Sequence, residues 1–539
     1  MLGLWLGVAW AGGGPQNVMV LYNADVPDSV GVAEHYEAAR GLPAGHLCGL
    51  VGIGEDEVYL SLEDYKAWVL SPLGDCLSAL PQPEDIDYLV VARGLPYQVE
   101  AGGYTVSLSA ALQVYQMPSP TGSGLLIDDG HPEGYAYIYN PYYKSGRTGD
   151  FTLENDYAGW YTSASGITRS RNQPEAFERD HEPTGYGDDL FIVTRLDGFD
   201  YQDARDVVDR GVASDGTFPG ADFLCMHGAD SARGARDPEC EFAIQKLQEL
   251  GLAATWLAEF DGSLTGYEVV AYFTGAASVQ GAIDGQSYVP GAITCNLTSY
   301  GAVPNNFFCD ESGDSCPASE SQTSIARYIR AGATGAHGTV NEPYNNVFPN
   351  AGALIHYGLG YSLGESYFFN QLFLYWQNLT IGDPLATPFA ERPVVTLSTT
   401  TLPLNEPLVI TATHPDSIEV VRLYLDDVLI AEAEGEVLEW IAEGYSAGDT
   451  LSLRAVAESG DVTLTVPGWS QEETTVRART QGWTLDTVTL AEPSSADTGT
   501  GTAPDDKEPG GCSCNASAGA LSGAWLLLVA ALGARRRHR

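Results

Sequence analysis

The sequence predicts a layered α/β domain with a mainly parallel sheet, then an immunoglobulin-like β-sandwich, then a C-terminal transmembrane helix. Three observations carry this expectation. Between residues 17 and 390 apolar strand-like runs alternate with helical ones, the pattern of successive βα units. Past Pro393 the period shortens to brief alternating runs separated by turn residues, with no good helix between them. Residues 516–534 are largely apolar and end on Arg535, Arg536, Arg537, His538 and Arg539, and a helix needs roughly 20 such residues to cross a bilayer.

Taken in order, residues 2–11 form an apolar segment ending in Ala9-Trp10-Ala11, the small-x-small pattern of a signal peptidase site, so residues 1–11 read as a signal peptide. The α/β domain follows over residues 12–390. Val18-Met19-Val20-Leu21-Tyr22 is a buried strand, and Ser29 is placed to cap a helix that Gly41 and Pro43 stop after Arg40. A second helical stretch spans residues 62–80, and a strand over residues 86–91 ends in the turn Gly94-Leu95-Pro96. Residues 118–188 are polar and rich in Gly and Tyr, far longer than an ordinary connection, and read as an insertion. Alternation resumes with strands at residues 190–193, 223–226, 268–273 and 292–294, and a helix over residues 201–212. The β-sandwich covers residues 391–485, with Asp426-Asp427 as a hairpin turn. Residues 486–511, rich in Ser, Thr, Gly, Asp and Pro toward their end, form a flexible stalk, and residues 512–539 form the tail.

Of 539 residues, 44% are hydrophobic and 10% aromatic, enough to pack more than one core. A formal charge of -45 disfavours nucleic acid as a partner and leaves Ca2+ as a loose option at loops such as Asp197-Gly198-Phe199-Asp200, although none has the full EF-hand spacing. No cofactor is expected. Two of the nine cysteines, Cys512 and Cys514, sit in the tail, which leaves seven. In an oxidising compartment nearness in sequence suggests Cys48 with Cys76, Cys225 with Cys240, and Cys309 with Cys316, leaving Cys295 free, although connectivity is not fixed by sequence.

Gly511-Cys512-Ser513-Cys514, the apolar run and the arginine cluster together resemble the myxobacterial-type C-terminal sorting signal. The resemblance implies export, recognition by sorting machinery, and residence at the outer surface or cell envelope, anchored by the C-terminal helix before any processing. Several blocks of the first domain resemble an uncharacterised bacterial surface-protein family of exosortase-carrying species. These are Leu21-Tyr22-Asn23-Ala24, Arg40-Gly41-Leu42-Pro43, Gly94-Leu95-Pro96, Thr194-Arg195-Leu196-Asp197-Gly198, Gly332-Ala333-Thr334-Gly335 and Gly382-Asp383-Pro384-Leu385. A more distant likeness is to gingipain-type cysteine peptidases of the caspase-like fold, with their Gly-Asp-Pro and their immunoglobulin-like domain.

That second likeness implies a His-Gly at the end of one strand and a Cys at the end of a later one, adjacent parallel strands bringing both side chains to the same sheet edge. Cys295, in Gly291-Ala292-Ile293-Thr294-Cys295-Asn296, supplies the thiol. For the base, either Phe223-Leu224-Cys225-Met226-His227-Gly228 is the partner strand, giving a His227 and Cys295 dyad, or residues 270–278 take that place and the base is missing; spacing favours the second. Three functions follow: an exported surface protein without strong catalysis, a cysteine endopeptidase using Cys295 and His227, or an adhesion module. In the third, Tyr135, Tyr137, Tyr139, Tyr142 and Tyr143 of the insertion would contact a surface protein or glycan. Gly360-Tyr361-Ser362-Leu363-Gly364 matches a serine-hydrolase pattern, but the acid and histidine it needs downstream are not suitably placed. His337 reads as a turn histidine. Asp128, Asp129 and His131 read as a solvated loop rather than metal ligands.

Overall fold

The computed structural model describes residues 13–101, 103–117, 124–129, 138–140, 143, 159–162, 168–171, 190–465, 473–476 and 480–494. The expected signal peptide, most of the 118–188 insertion, most of the stalk and the whole sorting tail lie outside them. Among the described residues no helix is long and apolar enough to cross a membrane.

Ten strands build the central sheet. In chain order they are β1 (Val18–Asn23), β2 (Leu47–Leu50), β3 (Tyr88–Ala92), β4 (Ile192–Leu196), β5 (Asp222–Met226), β6 (Ala254–Leu257), β7 (Glu268–Thr274), β8 (Ser287–Asn296), β9 (Gly335–Thr339) and β10 (Asn378–Ile381). Their spatial order is β6-β5-β7-β8-β9-β10-β4-β3-β1-β2. Each end of the sheet repeats one scheme, in which the second strand flanks the first on one side while the third and fourth extend on the other: β2-β1-β3-β4 and β6-β5-β7-β8. All pairings are parallel except β9 with β10, which runs antiparallel. Strands buried on both faces need continuous apolar runs, and Val18, Met19, Val20 and Leu21 of β1 are fully buried, as are Leu89, Val90, Val91 and Ala92 of β3.

Helices α1 (Pro27–Arg40), α2 (Tyr201–Ser214), α3 (Asp237–Glu249), α4 (Gly352–Gly358) and α5 (Leu363–Phe368) pack against this sheet, α1 against α2 and α3 against α4. Ser29 is not the cap of α1. The helix begins two residues earlier at Pro27, a residue suited to a first turn, and the Ser29 hydroxyl instead accepts a hydrogen bond from the Asn23 amide at 2.8 Å, fastening α1 to β1. Ser362, from the hydrolase-like pattern, caps α5 in a capping box with Glu365 and has no elbow geometry.

Beyond Arg392 two antiparallel-based sheets form the sandwich. Its strands are β11 (Val394–Leu397), β12 (Thr401–Pro403), β13 (Leu408–Thr413), β14 (Ile418–Leu425), β15 (Val428–Glu434), β16 (Val437–Trp440), β17 (Thr450–Ser459) and β18 (Gln481–Ala491). They are ordered β11-β13-β16 and β12-β18-β17-β14-β15. Asp426 and Asp427 both take positive φ, 48° and 62°, as a two-residue hairpin turn requires. The last strand runs past residue 485, because Val488 and Leu490 still bury their side chains in the sandwich; the segment expected as stalk therefore starts later than residue 486.

A buried ionic chain ties these layers together. Arg40, at the end of α1, bonds Asp383 through Nε at 2.8 Å and Asp215 through Nη1 at 2.6 Å, and Tyr36 donates to Asp383 Oδ1 at 2.8 Å. Asp215 also receives Arg392 Nε at 2.7 Å, at the junction with the sandwich. Asp383 is wholly buried, so the Gly382-Asp383-Pro384 motif has a structural role here. Removing one partner of a buried, hydrogen-bonded pair strands the other charge, at a cost of about 3–5 kcal/mol. Asp383→Ala should therefore lower unfolding stability by about that amount in urea titrations; a loss below about 1 kcal/mol would show that the pair is not what holds α1 to the sheet.

Candidate functional site

Register brings four side chains into one row across the second half of the sheet. Cys225 on β5 pairs with Phe273 on β7, Phe273 with Cys295 on β8, and Cys295 with His337 on β9. Side chains at paired positions of parallel strands share a face. His337 is thus a strand residue with no exposure, correcting its expected place in a turn.

Cys295 and His337 are in contact, with Sγ to Nδ1 at 3.8 Å, and His337 Nε2 lies 3.0 Å from Asn378 Oδ1 on β10. An amide oxygen can only accept, so Nε2 carries the proton and Nδ1 faces the thiol as an acceptor. Over the sulfur lies Arg236, the residue preceding α3. Its Nη1 donates to Cys295 Sγ at 3.0 Å and to Pro349 O at 3.2 Å, and its Nη2 to Thr274 O at 2.9 Å and Cys295 O at 3.1 Å. The guanidinium also sits 4.9 Å from the Phe273 ring centroid. Arg236 is 5% exposed and Cys295 1%. On the outer side of Arg236 a cavity of about 100 Å³ is lined by Tyr143, Glu239, Leu297, Phe348 and Asn350.

Cysteine, histidine and asparagine in this order form a general-base constellation in some cysteine hydrolases. Burial alters its chemistry here. It pushes the Cys295 thiol up, against the opposing Arg236 charge, and it pushes His337 down to about 3, against the Asn378 hydrogen bond. A neutral imidazole of such low basicity is a poor acceptor for a thiol proton at pH 7, and the sulfur stays a thiol.

His227 stands elsewhere. It follows β5, two strands from β8 and so roughly 10 Å away at ordinary strand spacing, with β7 between them. Its Nε2 lies 3.2 Å from Asp237 Oδ2, and its side chain is 45% exposed. On the side toward β5 the strand adjacent to β8 is β7, the arrangement that spacing favours, and it runs out into Gly275-Ala276-Ala277, which offers no base. The expected dyad partners are therefore not brought together. The residues that do surround Cys295 are Arg236, His337 and Asn378, of which sequence reasoning considered His337 alone.

Two expected disulfides are present, Cys48–Cys76 and Cys309–Cys316. The third is not. Cys225 and Cys240 remain thiols, both buried and hydrogen-bonded to each other, and burial raises the Cys225 thiol well above its ordinary range. No group of three or more His, Cys, Asp or Glu side chains among the described residues is arranged to hold a metal ion. In the Asp197-Gly198-Phe199-Asp200 loop, Asp197 pairs with Arg93 at 2.9 Å and Arg195 at 2.7 Å, while Asp200 caps α2. Asp128 pairs with Lys66, and His131 lies outside the described residues.

The topology defines a doubly wound α/β domain followed by a β-sandwich. No family model and no curated protein matches the sequence. Among solved structures, the chain is similar to the Arg-specific cysteine proteinase gingipain R at 10% identity and a TM-score of 0.44, over 88% of this chain and 98% of that one. It is also similar to the complex of Porphyromonas gingivalis RgpB pro- and mature domains, at 10% identity and a TM-score of 0.43, over 88% of this chain and 100% of that one. A shorter match, over 18% of this chain and 96% of the other, is to fibronectin(III)-like modules of Clostridium thermocellum CbhA, at 16% identity and a TM-score of 0.12. Likeness at these values says nothing about catalysis in this chain.

Burial of neutral histidine has a consequence for acid stability. His337 is pushed down to about 3, and His46, buried against Val18 O, to about 4, whereas both titrate near 6.5 once unfolded. The unfolded chain then takes up protons that the folded one refuses. Their contribution is complete above about pH 6.5 and drains away as pH falls toward 4 and then 3. The urea midpoint should decline across that window, and less steeply in His337→Gln. Equal slopes in the two proteins would contradict the buried neutral state of His337.

Proposed function

We propose that this chain is an exported surface protein whose α/β domain acts by binding rather than by cleaving peptide bonds. The sealed thiol carries this reading. Cys295 is covered by Arg236, its histidine neighbour on β9 is held neutral, and β7 on the other side ends without a base. A nucleophile for acyl transfer must reach a carbonyl carbon and lose its proton, and a buried thiol of raised pKa does neither. Export is supported by the two disulfides, which belong to oxidising compartments, and by the signal-peptide-like and sorting-signal-like ends of the sequence. Partners on this reading are the export and sorting machinery and a surface protein or glycan; Tyr143 of the insertion is itself buried, its hydroxyl accepting from Asn350 Nδ2 at 2.8 Å.

One observation favours a second reading, a cysteine peptidase. The Cys295–His337–Asn378 chain has hydrogen-bonded geometry, so displacement of Arg236 would expose a nucleophile with His337, in place of His227, as its base.

Alkylation separates the two. With iodoacetamide on native protein, peptide mapping should find Cys225, Cys240 and Cys295 unmodified, and all three modified after unfolding in urea. Cys295→Ala should leave any hydrolysis of protein substrates unchanged. Rapid native alkylation of Cys295 that is lost in His337→Ala would sink the binding reading and support the peptidase.

A further inference from the structure

In doubly wound sheets the crevice for a ligand opens at the carboxyl ends of the strands, where successive connections leave in opposite directions. The first half of this sheet turns at β1, which has β2 on one side and β3 on the other. A cavity of about 220 Å³ lies at that point. Its walls come from the chain leaving each strand: Val26 and Asp28 after β1, residues 55–58 after β2, and Arg93, Leu95 and Tyr97 after β3. Phe308 closes the remaining side, 40% exposed, directly before the Cys309–Cys316 loop.

The floor is rigid. Tyr97 donates to Asp197 Oδ2 at 2.9 Å, Arg195 to the same oxygen at 2.7 Å, and Arg93 to Asp197 Oδ1 at 2.9 Å. Arg195 lies 4.0 Å over the Tyr97 ring, whose other contacts are Phe307, stacked at 4.6 Å, and Phe308, edge-on at 6.4 Å. Despite its burial, Arg195 and Arg93 keep Asp197 ionised, so the floor as a whole bears one net positive charge. At the mouth stand Asp28, Glu55, Asp56 and Glu57, all exposed, so the crevice is negative overall. Val26, Leu95, Tyr97 and Phe308 give it an apolar interior. These carboxylates are not gathered into a metal-binding group, which leaves cations with a carbon skeleton.

We propose that this crevice binds an organic ammonium ion carried on an apolar body, the body against Tyr97 and Phe308 and the charge toward the acidic mouth. Apolar walls favour the body of such a cation and the carboxylates its charge, and an exposed rim makes the charge contribution sensitive to salt. The proposal is independent of whether Cys295 reacts, because the crevice lies in the other half of the sheet.

Calorimetric titration of the full chain with 2-phenylethylammonium tests it, with 2-phenylethanol and phenylacetate as the neutral and anionic counterparts. Saturable 1:1 binding of the ammonium is expected, weakened about tenfold in the E55Q/D56N/E57Q variant and reduced by added salt. Weaker binding is expected for the alcohol and none for phenylacetate. Phe308→Ala should also weaken the ammonium, and unchanged urea midpoints would show that both variants fold. Equal binding of the three probes, undiminished binding by the triple variant, or no saturable binding at millimolar concentration would each overturn the proposal.

Discussion

The buried pairing of Arg40 with Asp383 is the interaction on which the rest of the molecule depends. Asp383 follows β10, the strand that joins the two halves of the sheet, and Arg40 ends the first helix. Through Asp215 the same charges reach Arg392, whose Nη1 donates to Gln481 O on the last strand of the sandwich at 2.8 Å. Four elements distant in sequence are thus fixed by one set of charge-assisted hydrogen bonds. Arg392 also lies over Trp483, 5.2 Å from the ring centroid, and Arg454 of the sandwich donates to Gly41 O at 2.8 Å. The sandwich is therefore docked onto the end of α1, and the two domains form one compact unit through residue 494.

The two halves of the sheet share a strand order but differ in what stands at their carboxyl edges. In the first, Asp197 is held between arginines beneath an open crevice. In the second, an arginine lies across a thiol, and the polar groups are turned inward. Arg236 finds sulfur and three carbonyl oxygens there. One edge is accessible and rigid, the other closed. This difference, rather than the presence of a cysteine, sets where solvent-borne molecules can meet the domain.

Much of the layered fold was legible from residue pattern. Val18-Met19-Val20-Leu21 and Leu89-Val90-Val91 are apolar runs bounded by turns, and the sandwich strands alternate, so burial on two faces or one could be read directly. What escaped were β2, β6, β10 and above all β9, Gly335-Ala336-His337-Gly338-Thr339, which has no Val, Ile, Leu or Phe to signal a core strand. Its glycines are there for space: a Cβ on Gly335 would stand 2.7 Å from Leu363 Cδ1, and one on Gly338 2.6 Å from Ile325 Cγ2. Without that strand His337 had no reason to be placed beside Cys295. Spacing did point to β7 as the neighbour of β8, but Arg236, 59 residues from Cys295 in sequence, carries no local mark of its position over the sulfur. The Cys225 and Cys240 pairing failed for a related reason, since nearness in sequence does not decide whether two sulfurs bond.

Placing β10 at the middle of the sheet also sets a schedule for the chain. Its neighbours are β4 and β9, so the strand made last in this domain must enter between two segments already synthesised. Each four-stranded wing can assemble from its own sequence, but the facing edges of β4 and β9 stay bare until residue 381 has emerged. A nascent polypeptide of this design carries one open seam at β4 from residue 196 and a second at β9 from residue 339 until β10 emerges, and unpaired edges of this kind are where a chain can pair wrongly.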